Sequence, residues 1–513
     1  MMIGGARRIG LPAILAAALG AATAFSFAPF NLPLLPLLTL AGLIFLWQRH
    51  PTQFDSTVIG LAFGLGLFCT GINWIYVSLH DFGGMPAALA VFCTFLLSLF
   101  LATFPALAGF FQAMIGARGW LQAMVVIPAL WAVFEWLRGW VLTGLPWLSV
   151  GYAQVPDGPL AAFAPLLGVY GVSLVTALAA GLVVSLFSAL IARDVRVAAA
   201  VAMVFAILFG ANYFLARVEW TQASGAPISV SLLQGNITQD IKWKPETIEK
   251  TLMTYRDLML ASMSKLIILP ETAFPVFLEQ MPEEYLAEFN NHAKKLNGDL
   301  LIGVPETTGP TTYYNSVVSL GVSPRQTYRK THLVPFSEFI PLKWLIGWVY
   351  DDLLNMPLAD FTAGDIDQKP FNVAGQKIAM TNCYEDLFGE EIIRKLPGAT
   401  MLANVSNDAW FGRSWGPQQH AQIAQMRALE MGRYMLRATN TGVTAIVDHT
   451  GRMVSRAPEF TTIALDGTAQ GFVGATPYVR YGNFVVVALS LSMLLIAVTL
   501  RNRRSGRRDV FLS

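Results

Sequence analysis

One of the three cysteines lies in surroundings that suit a nucleophile. Cys383 occupies "TNCYEDLFGE", between an apolar stretch and a run that turns helical, whereas Cys69 and Cys93 lie in strongly apolar runs. A thiol in an apolar run behaves as a small hydrophobic group, but unpaired amides at a helix start lower a thiol pKa and can also stabilise an oxyanion. The pattern predicts a cysteine nucleophile, and a buried structural cysteine is the alternative.

A cysteine nucleophile needs a general base and a positive group. Glu271 follows "LIILP" and can take the thiol proton if burial raises its pKa. Lys330, in "TYRKTHLVPFSEFIP", can hold charge on an oxyanion. A Cys–His pair stays open but has no support from the positions of the nearby histidines, which lie in helical runs, beside Lys330 or in a tight turn: His292, His332, His420 and His449.

The elements that position these residues alternate between strand and helix. Strands are predicted for "PISVSLLQGNI", "KLIILPETAF", "GDLLIGVPET", "YYNSVVSLGV", "QKIAMTNCYE", "ATMLANVSND" and "GVTAIVDHTG". Helices are predicted for "PETIEKTLMTYRDLMLASMS", "PEEYLAEFNNHAKKL" and "QQHAQIAQMRALEMGRYML". This alternation indicates one α/β domain, in which functional residues gather where strands end. Glu271 and Cys383 both lie just after a strand.

The rest of the chain is apolar enough for a membrane. Charged residues are 13% of the chain and hydrophobic residues 54%, against roughly 25% charged residues in soluble proteins. Eight stretches have about the length of a bilayer span, near 9–27, 30–48, 56–78, 86–113, 119–141, 160–191, 197–216 and 482–500. These stretches predict a transmembrane domain over 1–218, a catalytic domain over 219–478, and a last span with a basic tail over 479–513.

The distribution of arginine predicts the orientation. With the N-terminus inside, the inner loops hold Arg7, Arg8, Arg49, Arg118, Arg193 and Arg196, and the tail holds five more arginines. The outer loops near 28, 78–85 and 142–158 hold no Lys or Arg. Seven spans then place the α/β domain outside, which is the periplasm if the membrane is a bacterial inner membrane. The alternative is that 9–27 is a signal peptide, since Arg7 and Arg8 precede it and "GAATAFS" offers small residues for cleavage.

Three motifs together resemble a known superfamily. "LPETAFP", "YRKTHLVPFSEFIP" and "NCYEDLFGE", in this order, are similar to the Glu–Lys–Cys motifs of the nitrilase (carbon–nitrogen hydrolase) superfamily. The resemblance implies a four-layer αββα sandwich, with Glu271 as general base, Lys330 as oxyanion stabiliser and Cys383 as nucleophile. The further site residues that it implies are a second active-site glutamate, two neighbours of the nucleophile and a substrate-site tryptophan: Glu338, Tyr384, Glu385 and Trp243.

A nitrilase-like domain before the last of eight spans resembles, over nearly the whole chain, the membrane branch that N-acylates bacterial lipoproteins. The resemblance implies two-step transfer of an acyl chain from a glycerophospholipid, expected to be phosphatidylethanolamine, through a Cys383 thioester. The implied acceptor is the α-amino group of a diacylglyceryl-cysteine lipoprotein, and the step order predicts ping-pong kinetics. No cofactor is expected, since the sequence has no HExxH, P-loop or GxSxG motif.

Two other functions remain open at this point. The first is a membrane-tethered amidase or nitrilase that uses the same triad with water as acceptor. The second is a transporter or receptor whose outer domain only binds ligand, although ionisable groups are nearly absent from the spans. The apolar segment 341–361, near the catalytic motifs in sequence, is interpreted either as a lid or acyl-chain groove or as ordinary core.

Overall fold

The structure is a computed structural model that describes residues 3–341, 343–344, 360–396 and 398–510. It divides into two compact units. One contains residues 1–75, 88–218 and 481–513, and the other contains residues 76–87 and 219–480. The segment predicted as a lid or core element, 341–361, lies almost wholly outside the described residues.

The first unit is helical. Its principal helices are Ile3–Ala24, Leu35–Arg49, Gln53–Gly71, Ala87–Ile115, Ile127–Arg138, Ala164–Ile191, Val195–Leu215 and Phe484–Val510. Of the described helices, five are long and apolar enough to cross a membrane, namely Gln53–Gly71, Ala87–Ile115, Ala161–Ile191, Val195–Leu215 and Phe484–Asn502. Ile9–Ala24 and Leu35–Arg49 are apolar but shorter. The predicted count of eight is therefore shown only in part.

The fifth predicted span, 119–141, is an interrupted helix. It begins as a π-helical turn, Gln122–Val126, and continues as the α-helix Ile127–Arg138. Arg138 near its end donates to the carbonyls of Leu145 and Trp147, each at 2.6 Å. Glu135 accepts from the backbone amide of Val150 at 3.0 Å. The two charged side chains thus bind the loop after this helix.

The second unit contains twelve described strands in two sheets. They are β1 (Gln222–Gln234), β2 (Leu266–Ile268), β3 (Asp299–Gly309), β4 (Thr312–Gly321), β5 (Thr327–Arg329), β6 (Phe371–Val373), β7 (Gln376–Asn382), β8 (Met401–Ser406), β9 (Met435–Thr439), β10 (Ala445–Val447), β11 (Met453–Arg456) and β12 (Ile463–Val473). The strand orders are β12-β1-β2-β3-β4-β5 and β11-β10-β9-β8-β7-β6. In each sheet the central strands are parallel and the outer pairs antiparallel.

The two sheets pack face to face, with helices on both outer faces. The core between the sheets includes Val230, Leu232, Ile268 and Leu301 from one sheet and Ile378, Met380, Ala403 and Leu436 from the other. Helices Pro245–Ala261 and Glu283–Lys295 cover the first sheet, and helices Gly389–Ile393 and Gly416–Met431 cover the second. Alternate residues of a strand pack into different cores: Leu301 packs between the two sheets, and Leu300 packs between the first sheet and its helices. The four-layer αββα sandwich is confirmed.

Candidate active site

Glu271 lies in the turn after β2, buried among donors. Its side chain is 6% exposed. One carboxylate oxygen, Oε1, accepts from Asn315 Nδ2 at 2.7 Å and from Lys330 Nζ at 3.4 Å. The other, Oε2, accepts from the backbone amide of Asn407 at 2.8 Å. These contacts fix both oxygens, so the carboxylate has a defined direction.

Lys330 follows β5 and lies between two carboxylates. Its Nζ donates to Glu338 Oε1 at 2.8 Å as well as to Glu271, and its side chain is 1% exposed. Burial opposes the positive charge, but the attraction of Glu338 and Glu271 outweighs burial and raises the pKa of Lys330. The lysine is a fixed cation at the centre of the site.

Asn315, on β4, joins the two glutamates and was missed by sequence reasoning. Its Nδ2 donates to Glu271 Oε1 and, at 3.0 Å, to Glu338 Oε1, while its Oδ1 accepts from Asn382 Nδ2 at 2.9 Å. Asparagine is depleted in strand interiors, so a buried Asn within "YYNSVVSL" was an available signal. Asn315 thus connects both carboxylates to Asn382, the residue before Cys383.

Cys383 follows β7 at the start of a short 3-10 helix, Cys383–Leu387. Its backbone φ is +52°, a left-handed conformation that residues other than glycine rarely adopt. Burial raises the pKa of the thiol well above its ordinary value, the negative charge of Glu271 raises it further, and Lys330 lowers it in part. The sequence-based prediction of a lowered thiol pKa was wrong, because burial and the negative charges of Glu271 and Asp408 outweigh the opposing effects of Lys330 and of the Ser406 hydrogen bond.

Glu385 connects the turn after Cys383 to the segment after Lys330. Its Oε2 accepts from the backbone amide of Asn382 and the hydroxyl of Tyr328, both at 2.7 Å. Its Oε1 accepts from the backbone amide of Thr331 at 2.5 Å and from the Thr331 hydroxyl at 2.7 Å. Burial opposes its charge, but the positive charge of Lys395 and these hydrogen bonds keep the pKa of Glu385 below its ordinary value.

The two aromatic residues predicted for the site are both accessible to solvent in part. Tyr384 is partly buried, and its ring lies 5.6 Å from that of His332 and 5.1 Å from that of Phe388, between centroids. Trp243 is 50% exposed. Its neighbour Lys242, which sequence reasoning missed, is 2% exposed and donates to the Thr272 hydroxyl at 2.6 Å.

Lys242 adds a second positive group beside Glu271. Its Nζ also lies 3.4 Å from the backbone oxygen of Glu271. Burial lowers the pKa of Lys242 to about 8, although Glu271 and Cys383 act to raise it. Thr272, which it binds, has a φ of +43°. The lysine therefore supports a strained turn that carries Glu271.

The arrangement can carry out acyl chemistry. The Cys383 thiol has a raised pKa, and Glu271 is near enough to affect that pKa. Lys330 supplies a positive charge. With these groups a cysteine can lose its proton as it attacks a carbonyl. The structure thus brings together Glu271, Lys330, Glu338 and Cys383 as predicted. It also adds Asn315, Asn407 and Lys242 to them.

Comparisons with known proteins give two matching family models. Residues 19–182 match the apolipoprotein N-acyltransferase N-terminal domain, and residues 229–478 match carbon–nitrogen hydrolase. An apolipoprotein N-acyltransferase of Nitrosomonas europaea is 52% identical over 496 residues, covering 96% of this chain and 98% of the relative. One of Chromobacterium violaceum is 45% identical, covering 96% and 95%.

A solved carbon–nitrogen hydrolase of Helicobacter pylori aligns with 56% of this chain and 98% of its own, at 18% identity and a TM-score of 0.35. The relatives from Nitrosomonas and Chromobacterium extend over both units and over nearly their own full length. With identities of this size across the helical unit and the α/β unit alike, the chain belongs to the apolipoprotein N-acyltransferase family of membrane acyltransferases.

Proposed function

We propose that this enzyme transfers an acyl chain from a glycerophospholipid to the N-terminal α-amino group of a diacylglyceryl-cysteine apolipoprotein, through a thioester on Cys383. The observation that carries the proposal is that Lys330 binds both Glu271 and Glu338. The charges of Glu271 and Lys330 both shift the pKa of the Cys383 thiol. The names of the curated relatives support the same acceptor.

In the first step Cys383 Sγ attacks the ester carbonyl of the phospholipid while Glu271 takes the thiol proton. Lys330 stabilises the oxyanion that forms. When the tetrahedral intermediate collapses, the C–O bond breaks and Glu271 returns the proton to the leaving alkoxide. The products are the thioester enzyme and a lysophospholipid. No net charge is created, which suits a buried site.

In the second step the neutral α-amine of the acceptor attacks the thioester carbonyl. Glu271 takes a proton from the attacking nitrogen, the C–S bond breaks, and the proton passes to the departing sulfur of Cys383. The acceptor leaves as an amide, and the enzyme returns to its starting state. Because lysophospholipid leaves before the amine reacts, the kinetics are ping-pong.

Four residues support this chemistry without exchanging the proton themselves. Glu338 holds Lys330, and Glu385 holds the turn of Cys383 against the segment after Lys330. Tyr384 and the half-exposed Trp243 offer aromatic surface to the substrates. We propose phosphatidylethanolamine as the donor, which is what the resemblance to the family implies.

We propose eight spans in a bacterial inner membrane, with the α/β unit in the periplasm and both termini in the cytoplasm. The absence of Lys and Arg from the outer loops in the sequence supports this orientation. A cysteine placed at Asp81, in an outer loop, should react with a membrane-impermeant maleimide in intact cells. One placed at Arg118, in an inner loop, should react only after the cells are opened, and the reverse pattern would contradict the orientation.

The function is tested in proteoliposomes with labelled phospholipid and a diacylated lipopeptide. Parallel double-reciprocal plots and a labelled lipopeptide are expected. Cys383→Ala should abolish transfer, whereas the matched controls Cys69→Ala and Cys93→Ala should retain it, because those thiols lie in the helical unit. Free fatty acid with no labelled lipopeptide would instead favour a membrane-tethered hydrolase, and retained transfer by Cys383→Ala would refute the thioester.

A further inference from the structure

A buried ionic cluster contacts the backbone of the turn that carries Cys383. We call it the rear cluster, and its members are Asp386, Asp408, His420 and Arg437. Their side chains are at most 1% exposed. Such a group is costly to bury unless every charge is paired.

Hydrogen bonds define the charge of the histidine in this cluster. His420 Nδ1 lies 2.9 Å from Asp408 Oδ1, and its Nε2 lies 3.0 Å from Asp386 Oδ1 and 3.3 Å from the backbone oxygen of Cys383. All three partners accept hydrogen bonds, so both ring nitrogens must carry a proton, and the ring is an imidazolium. The two carboxylates together outweigh burial and the charge of Arg437, so the pKa of His420 is raised to about 9.

Arginine completes the charge balance. Arg437 donates to Asp386 Oδ2 at 3.2 Å, to Asp408 Oδ2 at 2.9 Å and to Asn404 Oδ1 at 2.9 Å. The cluster thus contains two cations and two anions. Each carboxylate binds both cations, so loss of any one charge leaves the remaining three unbalanced.

The cluster reaches the nucleophile through its backbone. The carbonyl oxygen of Cys383 accepts from Asn404 Nδ2 at 3.0 Å and from His420 Nε2. Cys383 itself has a φ of +52°, a conformation that persists only where the surroundings hold it. Asn404 and His420 both donate to this carbonyl. Asn404 is bound directly by Arg437, and His420 is bound to Arg437 through a shared carboxylate. These two anchored donors can stabilise the conformation.

From this geometry we infer that the rear cluster is a positioning device for acylation, with His420 as its central residue. It holds the Cys383 backbone in the left-handed conformation that directs the thiol to the substrate carbonyl. His420 is not a base for the thiol, since it binds the backbone oxygen of the nucleophile. The inference rests on the proposed role of Cys383 as nucleophile.

The test is single-turnover acylation of the full-length protein in phospholipid vesicles, followed by intact mass. His420→Leu removes the donor to the Cys383 carbonyl, and the double variant His420→Leu with Asp386→Asn restores charge neutrality. In both we expect acylation of the molecules that react to slow by about tenfold to a hundredfold, as misplacement of a reacting group does. The fraction of molecules finally acylated should fall in the single variant, whose buried charges are unbalanced, and stay high in the double variant. His420→Gln, which keeps one amide donor, should recover part of the rate.

The matched control is another buried cation of the same unit. Arg433 is 2% exposed and donates to the backbone oxygens of Ala399 and Gly474, at 3.0 Å and 2.7 Å. Arg433→Met removes a buried charge of similar size without touching Cys383. It should lower the fraction of molecules that react and leave the rate of those that react unchanged.

Two results would overturn the inference. One is a wild-type acylation rate in His420→Leu and the double variant, with only the reacting fraction reduced, because that pattern marks a purely structural role. The other needs no destabilising variant: nitrogen-15 spectra of wild-type protein at pH 7.5 that show a neutral His420 ring instead of an imidazolium. Acylation of Cys383→Ala would refute the nucleophile itself, and so separates failure of the proposed function from failure of this inference.

Discussion

Two ionic clusters flank Cys383, and they differ in balance. The front cluster, Glu271, Lys330 and Glu338, has two carboxylates bound to one lysine. The rear cluster pairs two carboxylates with two cations and is sealed from solvent. Because its charges are balanced and its side chains are buried, we expect the rear cluster not to exchange a proton during the reaction. The front cluster has two carboxylates bound to one lysine, with Lys242 close to Glu271, and it lies beside a thiol of raised pKa, so this is where a proton can move.

The largest expected effect separates the two glutamates of the front cluster. Glu271→Gln removes the proposed base and should slow acylation by about 10²- to 10⁴-fold, the usual contribution of a general base. Glu338→Gln keeps an oxygen for Lys330 and should slow it by much less. Single-turnover acylation measures both. If the two variants were equally slow, or Glu338→Gln slower, the assignment of the base would be wrong.

Loss of the front cation should have the next largest effect. Lys330→Met leaves Glu271 and Glu338 buried without their shared ammonium and removes the charge facing the oxyanion, so turnover should fall by about 10²- to 10³-fold. The matched control is Lys250→Met, which removes an exposed lysine of the same unit. A Lys330 variant with the activity of its control would contradict the proposed role.

Asn315→Leu tests the connection between the two carboxylates. It removes the donor shared by Glu271 and Glu338 and the acceptor for Asn382, while keeping the volume of the side chain. We expect a loss of about tenfold to a hundredfold in acylation rate, since one hydrogen bond to a charged group is worth roughly 1.5–3 kcal/mol. Steady-state kinetics should show a lower kcat with little change in KM for the acceptor. A change in KM alone would place Asn315 in acceptor binding.

Lys242 gives the smallest effect, visible in the pH profile. Its pKa is lowered to about 8, so it is charged below that pH and neutral above it. The ammonium near Glu271 and Cys383 favours negative charge on the sulfur, and this help is lost as the pH rises through 8. The ratio of the wild-type acylation rate to that of Lys242→Met should therefore fall about two- to fivefold between pH 7 and 9. A constant ratio would exclude this contribution.

The sequence predicted the strands that carry the chemistry better than those at the edges. The runs ending at Glu271 and Cys383 are buried on both faces and read as continuous apolar stretches, and β2 and β7 lie there. β12 carries exposed polar residues in alternation and was not predicted. The helix predicted over 418–436 ends at Met431, because Gly432 adopts a left-handed cap with φ +61° and β9 begins at Met435.

The site was predictable where a residue follows a strand and unpredictable where contacts span the sandwich. Glu271, Lys330 and Cys383 come from three separated motifs, and the resemblance of these motifs to the nitrilase superfamily predicted that the three residues act together. Asn315 and His420 act through partners that are distant in the chain. His420 was considered only as a base for the thiol. No local pattern shows that a helical histidine will face a backbone oxygen.

The central claim is that Cys383 forms a thioester with an acyl chain of the phospholipid. The most direct measurement is the intact mass of purified protein incubated with phospholipid alone, beside Cys383→Ala. The account predicts a gain of one acyl chain in the wild type, none in the variant, and loss of the added mass when a diacylated lipopeptide is supplied. An unchanged wild-type mass with transfer to the lipopeptide intact would contradict it.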